Sequence, residues 1–557
     1  MTFTGGQLLV AGLVGHGIDT VFLIPGIQLD WAVDAMRQRS DRIRLFVPRH
    51  EQTTTYMADG YYRVTGKPSV AMVVPGPGVL NAGAGLATAY AANSKVLFIA
   101  GQIHSTAIGS GLGLLHEIKN QSAVIAGLTK WNRCVLSVEE IAPAIDQAFR
   151  EIHAGRPRPV GIEISHDLLS AAIEKREPSV NGAAVSSAPA LELHDVDRAV
   201  AMINSAHFPI IFVGGGVLAA NATESLREFA EKIGAPVVMS DNGRGAISDR
   251  HVLAMNTLAG RALFEHADVV IVVGSRFIDS MSPTTAWCST VQRYVFVNID
   301  SADFCAPRKP SVTIHSDARA ALDALSQSVK RRDGISAHDA MQVKDWAQKQ
   351  IDAVVPQSHY ISTMREALPE DGIFVNELTQ VGYLARIGFP VYQPRTFIGP
   401  GYQGALGYGF PTALGAAVAA NGRRVLSITG DGGIGWNLQE LATARKYNLP
   451  VTLVVFNDGY YGNVRSIQRR VFGAEVAVEL QNPDFLKLAM AFGVPGIRVK
   501  SPAELGAAIR SSLSEQGPLL IDVCVGEMPS PWHLLRLRPM EGLKLPPAPP
   551  NPLSNRP

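Results

Sequence analysis

The sequence predicts an α/β protein of three consecutive units, each a doubly wound parallel sheet flanked by helices. Three observations lead there. Short apolar runs of strand length alternate with longer amphipathic stretches along the chain, the βαβ signature. Two stretches, 175–190 and 330–339, are polar or rich in Ser, Ala and Pro, lack apolar periodicity, and divide the chain into three. The chain has 557 residues, 46% apolar and 18% charged, enough for three or four domains with well-buried cores.

The first unit is taken as 1–175. Its segments 20–24, 69–74, 96–100 and 160–164 read as buried parallel strands. The second, Rossmann-like unit is taken as 190–330. There the strand 209–213 ends in Gly214-Gly215-Gly216, and 237–239, 269–273 and 295–299 continue the sheet. The third unit, 350–530, holds strands at 425–429, 451–456 and 519–525 and a helix over 436–447. The tail, 531–557, is Pro-rich from Lys544 and carries no core pattern; it is expected to be either unstructured or an arm laid across a neighbour. The first and third units could be distant structural copies.

Composition excludes several function classes. Lys plus Arg is 50 and Asp plus Glu is 49, a formal charge of +1, with no basic stripe and no zinc-finger spacing, so no nucleic-acid partner is expected. The cysteines, Cys134, Cys288, Cys305 and Cys524, form no C-x-x-C pair and are read as buried small hydrophobes in a reducing compartment. The first residues lack a basic segment before an apolar core, so no signal peptide is expected. The apolar runs fall far short of the roughly 20 residues a membrane helix needs. A cytoplasmic protein with no membrane association is the expectation.

The chemistry concentrates in the third unit. The strand 425–429 runs straight into Gly430-Asp431-Gly432-Gly433. Glycines at a strand-to-helix turn let backbone N–H groups approach an anion closely, and a helix start adds a favourable dipole. The pattern reads as a diphosphate cradle. Asp431 inside it would repel a diphosphate unless a divalent cation lay between them, and an oxygen site completed by phosphate suits magnesium. The next strand ends at Asn457-Asp458-Gly459. Neighbouring parallel strands have their C-terminal ends on one edge, so Asp431 would meet the Asn457 amide oxygen and the Gly459 carbonyl there. Alone, either Gly-Asp-Gly or Asn-Asp-Gly is only a turn signal. Together, each after a buried strand, they indicate a cation site.

Gly430-Asp431-Gly432 followed by Asn457 resembles the thiamine-diphosphate motif, and the flanking text resembles the superfamily of acetolactate synthase, pyruvate oxidase and benzaldehyde lyase. Arg49-His50-Glu51-Gln52 with Ala58-Asp59-Gly60-Tyr61 resembles the segment carrying that superfamily's cofactor-activating glutamate. Pro75-Gly76-Pro77-Gly78 with Asn81, then Gly101-Gln102, resembles the stretch that closes over the cofactor from a partner subunit. Gly404-Ala405-Leu406-Gly407, leading to Gly409-Phe410-Pro411, resembles the segment that bends the cofactor into a V. The resemblance covers nearly the whole chain in order.

The resemblance implies roles. Glu51 would bond the aminopyrimidine and promote loss of the thiazolium C2 proton. The backbone of Gly404 and Leu406 would bond the pyrimidine edge, and the Leu406 side chain would wedge between the two rings. Pro77, Asn81, Thr379 and Gln380 would lie near the cofactor, as would Gly430, Gly432, Gly433, Tyr460, Tyr461, Gly462 and Asn463. Magnesium would be held by Asp431, Asn457 and Gly459. Gln28, Gln102 and His116 would meet a small carbonyl substrate; a histidine can exchange a proton near neutral pH. Glu51 and the metal site would face each other across a subunit interface, so a homodimer is the minimum assembly and a homotetramer is common.

Two departures stand out. Acetolactate synthases carry a Met and a Trp where this chain has Asn463 and Ile467, and Phe-Gln where it has Leu115-His116. The Trp helps choose the larger acceptor, so acetolactate synthesis itself is not expected. In the middle unit, Gly214-Gly215-Gly216, Gly274-Ser275-Arg276-Phe277 and Asp300 resemble stretches where relatives hold FAD or ADP or nothing; Asp300 could bond a ribose. The leading expectation is a lyase or carboligase acting on a 2-oxo acid, acyloin or dione. The alternatives are a 2-hydroxyacyl-CoA lyase or oxalyl-CoA decarboxylase, with Arg536 and Arg538 meeting CoA phosphates, and a flavin-linked oxidase. A non-catalytic partner protein of this fold is disfavoured, because Glu51, Asp431 and Asn457 are all retained.

Overall fold

The computed structural model describes residues 2–174, 189–278, 292–305, 309–535 and 550–554. Its framework is three six-stranded sheets in which every pairing is parallel, one in each third of the chain, plus a small antiparallel pair, Thr2–Thr4 with Ala172–Glu174. The central strands are rich in Val, Ile and Leu and buried on both faces, as parallel sheets covered by helices require.

In the first sheet the order is Arg44–Phe46, Thr20–Leu23, Ser69–Val73, Val96–Gln102, Val160–Ser165, Trp131–Cys134. In the third it is Phe397–Ile398, Ile373–Val375, Val425–Gly430, Val451–Asn457, Leu519–Cys524, Gly496–Val499. Numbered within each unit, both read 2-1-3-4-6-5, so the first and third units share one topology. The middle sheet runs Ala254–Met255, Val237–Met239, Pro209–Val213, Val269–Val273, Arg293–Asn298, Val312–His315, which is the 3-2-1-4-5-6 order of a dinucleotide-binding fold.

The order in which strands are added reverses between the strands numbered 1 and 3 in the outer sheets, and between 1 and 4 in the middle one. Ligands of open α/β sheets bind in the crevice at such a point. In the first unit the bordering loops carry Gln28 and Pro77. In the third they carry Thr379 and Asp431. In the middle unit they carry Gly214–Gly216 and Gly274.

The outer units are packed together through two helices, Glu51–Thr65 and Gly409–Ala419, and share one apolar core. Glycine permits their closest approach. A Cβ on Gly60 would lie 2.1 Å from the Thr412 carbonyl oxygen, and one on Gly415 would lie 2.0 Å from that of Met57. The middle and third units share a second core.

Several expectations need correction. The helix expected over 436–447 is broken: a short helix, Asp431–Ile434, starts at the aspartate itself, and the next helix begins at Leu441 after a 3-10 turn. Asn437 interrupts it because its side chain is used elsewhere, donating to the Gly407 carbonyl and accepting from Gln52 Nε2. Among the described cysteines none is fully buried: Cys134 and Cys524 are half-buried and Cys305 is exposed, while Cys288 lies outside the described residues. Most of the 175–190 linker and residues 536–549, including Arg536 and Arg538, also lie outside them. Of the tail, residues 550–554 rest on the chain's own middle unit, where Asn551 bonds Ala262 and Glu265 and Leu553 is buried. Among the described residues, no helix is long and apolar enough to cross a membrane.

Candidate active site

Gly430 ends its strand and Asp431 opens the short helix that follows. A Cβ on Gly433 would sit 2.1 Å from Glu377 Oε1, and one on Gly432 would sit 2.6 Å from the Tyr461 ring, so only glycine fits the cradle. Asp431 is 5% exposed. Its Oδ1 accepts from the Gly432 N–H (3.0 Å), and its Oδ2 from the Gly459 N–H (2.7 Å) and Asn482 Nδ2 (2.6 Å). The same Asn482 nitrogen donates to Asn457 Oδ1 at 2.9 Å, while Asn457 Nδ2 donates to Asp522. That second bond fixes the Asn457 amide with its oxygen toward Asp431. Burial raises the Asp431 carboxyl above its ordinary range, against the pull of these donors. Beside it, burial and then the Asp431 charge push Asp458 up to about 6.

Gly459 differs from expectation in one respect. Its N–H faces Asp431, whereas its carbonyl accepts from the Leu480 N–H at 2.8 Å. A carbonyl oxygen keeps a second lone pair, so a cation could reach it only by sharing it with Leu480. Gln380 is also committed, donating to Asp458 Oδ2 (2.5 Å) and accepting from the Met528 N–H (3.0 Å). Thr379 caps the helix Gln380–Gly388 by accepting from the Gly382 N–H. Asn463 sits between Tyr383 and Trp532, donating to the first and accepting from the second. Tyr460 lies under Arg465, whose guanidinium carbon is 3.6 Å from the ring centroid.

The loop Gly404-Ala405-Leu406-Gly407 stands beside the cradle. Gly404 and Gly407 both take positive φ, +57° and +76°, and Leu406 projects outward, 47% exposed. Glu377 holds the loop from beneath. Its two carboxylate oxygens accept the Gly407 and Gly409 N–H groups, each at 2.9 Å. Burial pushes this carboxyl up to about 7 despite those bonds. Sequence reasoning missed Glu377; the available signal was an acidic residue just past a three-residue apolar run, Ile373–Val375, that was itself too short to stand out.

In the first unit, Glu51 opens the helix Glu51–Thr65, where a carboxylate is favoured by the helix dipole. Asn81 Nδ2 donates to its Oε2 at 3.0 Å. Pro77 is the first residue of the helix Pro77–Ala92, matching the preference for proline at that position. Gln28 is buried and its Oε1 has no partner. His116 takes φ +69°, its carbonyl packs on Gly76, and its buried Nδ1 has no partner either. Gln102 is turned inward: it donates to Glu163 and accepts from the Ile103 N–H. A cavity of about 580 Å³ joins the two units, lined by His50, Gln52 and Asn81 on one side and Gly432, Trp436 and Tyr461 on the other.

Three family models match the chain in order: the N-terminal TPP binding domain of thiamine pyrophosphate enzymes over 3–124, the central domain over 196–325, and the C-terminal TPP binding domain over 379–523. A probable 2-ketoarginine decarboxylase of Pseudomonas aeruginosa is 32% identical over 94% of both chains. The large subunit of acetolactate synthase isozyme 1 of Escherichia coli is 31% identical, again over 94% of both.

The chain belongs to the thiamine pyrophosphate enzymes.

Like other thiamine pyrophosphate enzymes of the acetolactate synthase and decarboxylase kind, it is a cofactor-dependent C–C lyase or carboligase. A thiamine diphosphate-dependent 4-hydroxybenzoylformate decarboxylase of Rhodococcus jostii superposes with a TM-score of 0.82 at 24% identity, over 94% of this chain and 99% of that one, which shows the common fold.

The residues of this thiamine pyrophosphate enzyme fit the cofactor. Gly432 and Gly433 of the cradle have no room for a Cβ, and two hard oxygens, Asp431 Oδ2 and Asn457 Oδ1, converge closely enough for one nitrogen to reach both. Among the described residues no group of three His, Cys, Asp or Glu gathers anywhere. An ion at this site would therefore depend on phosphate oxygens, as magnesium does. The middle unit carries a second cavity, of about 540 Å³, at its own reversal point, bordered by Gly214–Gly216, Gly274, Arg156 and Arg276. Asp300 does not serve it as expected, being paired with Arg156 (3.1 Å) and capping the Ala302 N–H (3.0 Å).

Proposed function

We propose that this enzyme uses thiamine diphosphate and magnesium to make or cleave the bond beside the carbonyl of a small 2-oxo acid, acyloin or dione. One observation carries the reading: the Asp431 and Asn457 oxygens converge next to a glycine cradle that shares a cavity with Asn81, the hydrogen-bond partner of Glu51. Thiamine diphosphate, when bound, supplies an electron sink for a carbanion. The chain's own residues do the rest. Asp431 and Asn457 hold the cation, with the Gly459 carbonyl as a third ligand. Gly430, Gly432 and Gly433 let phosphate oxygens come close to the backbone, and the stretch from Tyr460 to Asn463 walls that side. Gly404 and Leu406 present backbone atoms to the pyrimidine edge, with the Leu406 side chain as a wedge. Glu51 holds a proton toward the pyrimidine, and Pro77 and Asn81 close the space beside it. Gln28 and His116, each with a buried polar atom unpartnered, meet the substrate carbonyl; Gln102, Thr379 and Gln380 hold their neighbours in place.

The exposed apolar side chains Trp436 at the cavity and Leu406 on the loop beside the cradle, with Ile27, Leu80 and Leu115 in the loops and helices that carry the first unit's candidates, support burial against a second copy, hence a homodimer at least and a tetramer of two such pairs. The glycine-rich cavity of the middle unit supports FAD as a further cofactor there. The relative named for 2-ketoarginine favours a 2-oxo acid as the donor. Turnover assays with pyruvate and other 2-oxo acids, benzoin, 2-hydroxyacyl-CoA and cyclic diones in parallel test the class. Consumption of a 2-oxo acid is expected; activity confined to the CoA thioester would replace this reading with the CoA-lyase one.

A further inference from the structure

The segment 480–482 carries no motif that the sequence singles out. In the fold it lies across the cation site. Asn482 Nδ2 donates to Asp431 Oδ2 at 2.6 Å and to Asn457 Oδ1 at 2.9 Å. The Leu480 N–H donates to the Gly459 carbonyl at 2.8 Å. Two donors from one short segment therefore meet an oxygen from each of the three residues assigned to the ion. An N–H donor and a cation make the same demand on those lone pairs, so Asn482 and the ion compete for one place.

We propose that Asn482 is a placeholder for the cation, one that keeps the Asp431 and Asn457 oxygens converged and swings aside when magnesium diphosphate enters. The inference rests on the reading of Asp431 and Asn457 as cation ligands. Physical chemistry supports the exchange. A buried carboxylate left without donors is strongly destabilising, and Asp431 has three. Two of them, the N–H groups of Gly432 and Gly459, belong to the backbone. Asn482 is the one side-chain donor, half-buried in a stretch with neither strand nor helix and flanked by exposed Gln481 and Pro483. It is the donor most easily moved. Asn457 keeps its bond to Asp522 in either state, so its oxygen stays aimed while Asn482 leaves.

The placeholder lowers apparent cation affinity, because its bonds must break before the ion binds. The test is a magnesium titration of full-length protein stripped of metal, with thiamine diphosphate present, for wild type, Asn482→Ala and the isosteric Asn482→Asp. Melting temperatures are taken stripped and loaded. Both variants are expected to bind magnesium more tightly, Asn482→Ala by about tenfold, the worth of one charge-assisted hydrogen bond. Both are expected to melt lower than wild type when stripped and level with it when loaded. A merely structural asparagine would lower both melting temperatures alike and leave affinity unchanged or weaker; either result in the Asp variant overturns the placeholder while leaving the cation reading intact. Wild type that binds no magnesium would remove both.

Discussion

Glu51 and Glu377 are acidic side chains of the first and third units, and their surroundings ask different things of them. Glu51 is half-buried with a single side-chain donor, Asn81, which leaves it able to present a proton to a ligand. Replacing it with Gln is expected to slow exchange of the cofactor C2 proton by about 100-fold or more while the cofactor still binds, the usual scale for a positioned acid or base. Exchange at the wild-type rate, followed by NMR, would take Glu51 out of its role. Glu377 is fully enclosed, and burial lifts it from its ordinary 4.5 to about 7. A carboxyl raised in the folded state binds its proton more tightly there than in the unfolded chain. Its contribution is therefore present in acid and is lost as pH rises through that window. Denaturant melts at about pH 5 and about pH 8 should show wild type losing a few kcal/mol relative to Glu377→Gln, at about 1.4 kcal/mol per unit; a difference flat with pH would contradict the burial argument. Asp431 and Asn457 were legible because each sits in a short turn motif at the end of a long buried strand, and Glu51 because its segment resembles a family motif. Glu377 and Asn482 were not, because each acts through atoms far away in sequence, with no local spacing to betray it.

At the scale of elements, legibility followed burial. Pro209–Val213 and Val269–Val273 are continuous apolar runs because both faces are covered. The edge strands were not foreseen: Phe397–Ile398 has two residues, and Gly496–Val499 exposes its first three. An edge strand owes its existence to its neighbour's hydrogen bonds more than to its own side chains. The broken helix after Asp431 has a similar lesson, since Asn437 is held by Gly407 and Gln52 rather than by its own turn. Packing of helix Glu51–Thr65 against Gly409–Ala419 is the contact that brings the first unit to the third. Gly60→Ala would drive a Cβ into the Thr412 carbonyl at 2.1 Å. It should cost about 1–3 kcal/mol, read as a lower urea midpoint, and weaken cofactor binding by displacing Glu51. A variant with wild-type midpoint and affinity would show that the two helices yield easily.

Over the whole molecule, two units of one topology flank a third with the dinucleotide-binding order, and Gln28, Pro77, Thr379 and Asp431 sit where strand order reverses in the outer units. Repetition of the outer topology could be suspected from the sequence but not read, because strand order depends on crossovers that leave no local trace. That the chain holds three α/β units was legible, since strand-length apolar runs recur along all of it. The central claim is that two loop ends of the third sheet grip a magnesium ion that anchors thiamine diphosphate. Calorimetry on metal-stripped protein tests it most directly. Wild type should take up one cofactor per chain only when magnesium is present, and Asp431→Ala should take up none. Uptake without magnesium, or unimpaired uptake by Asp431→Ala, would contradict it.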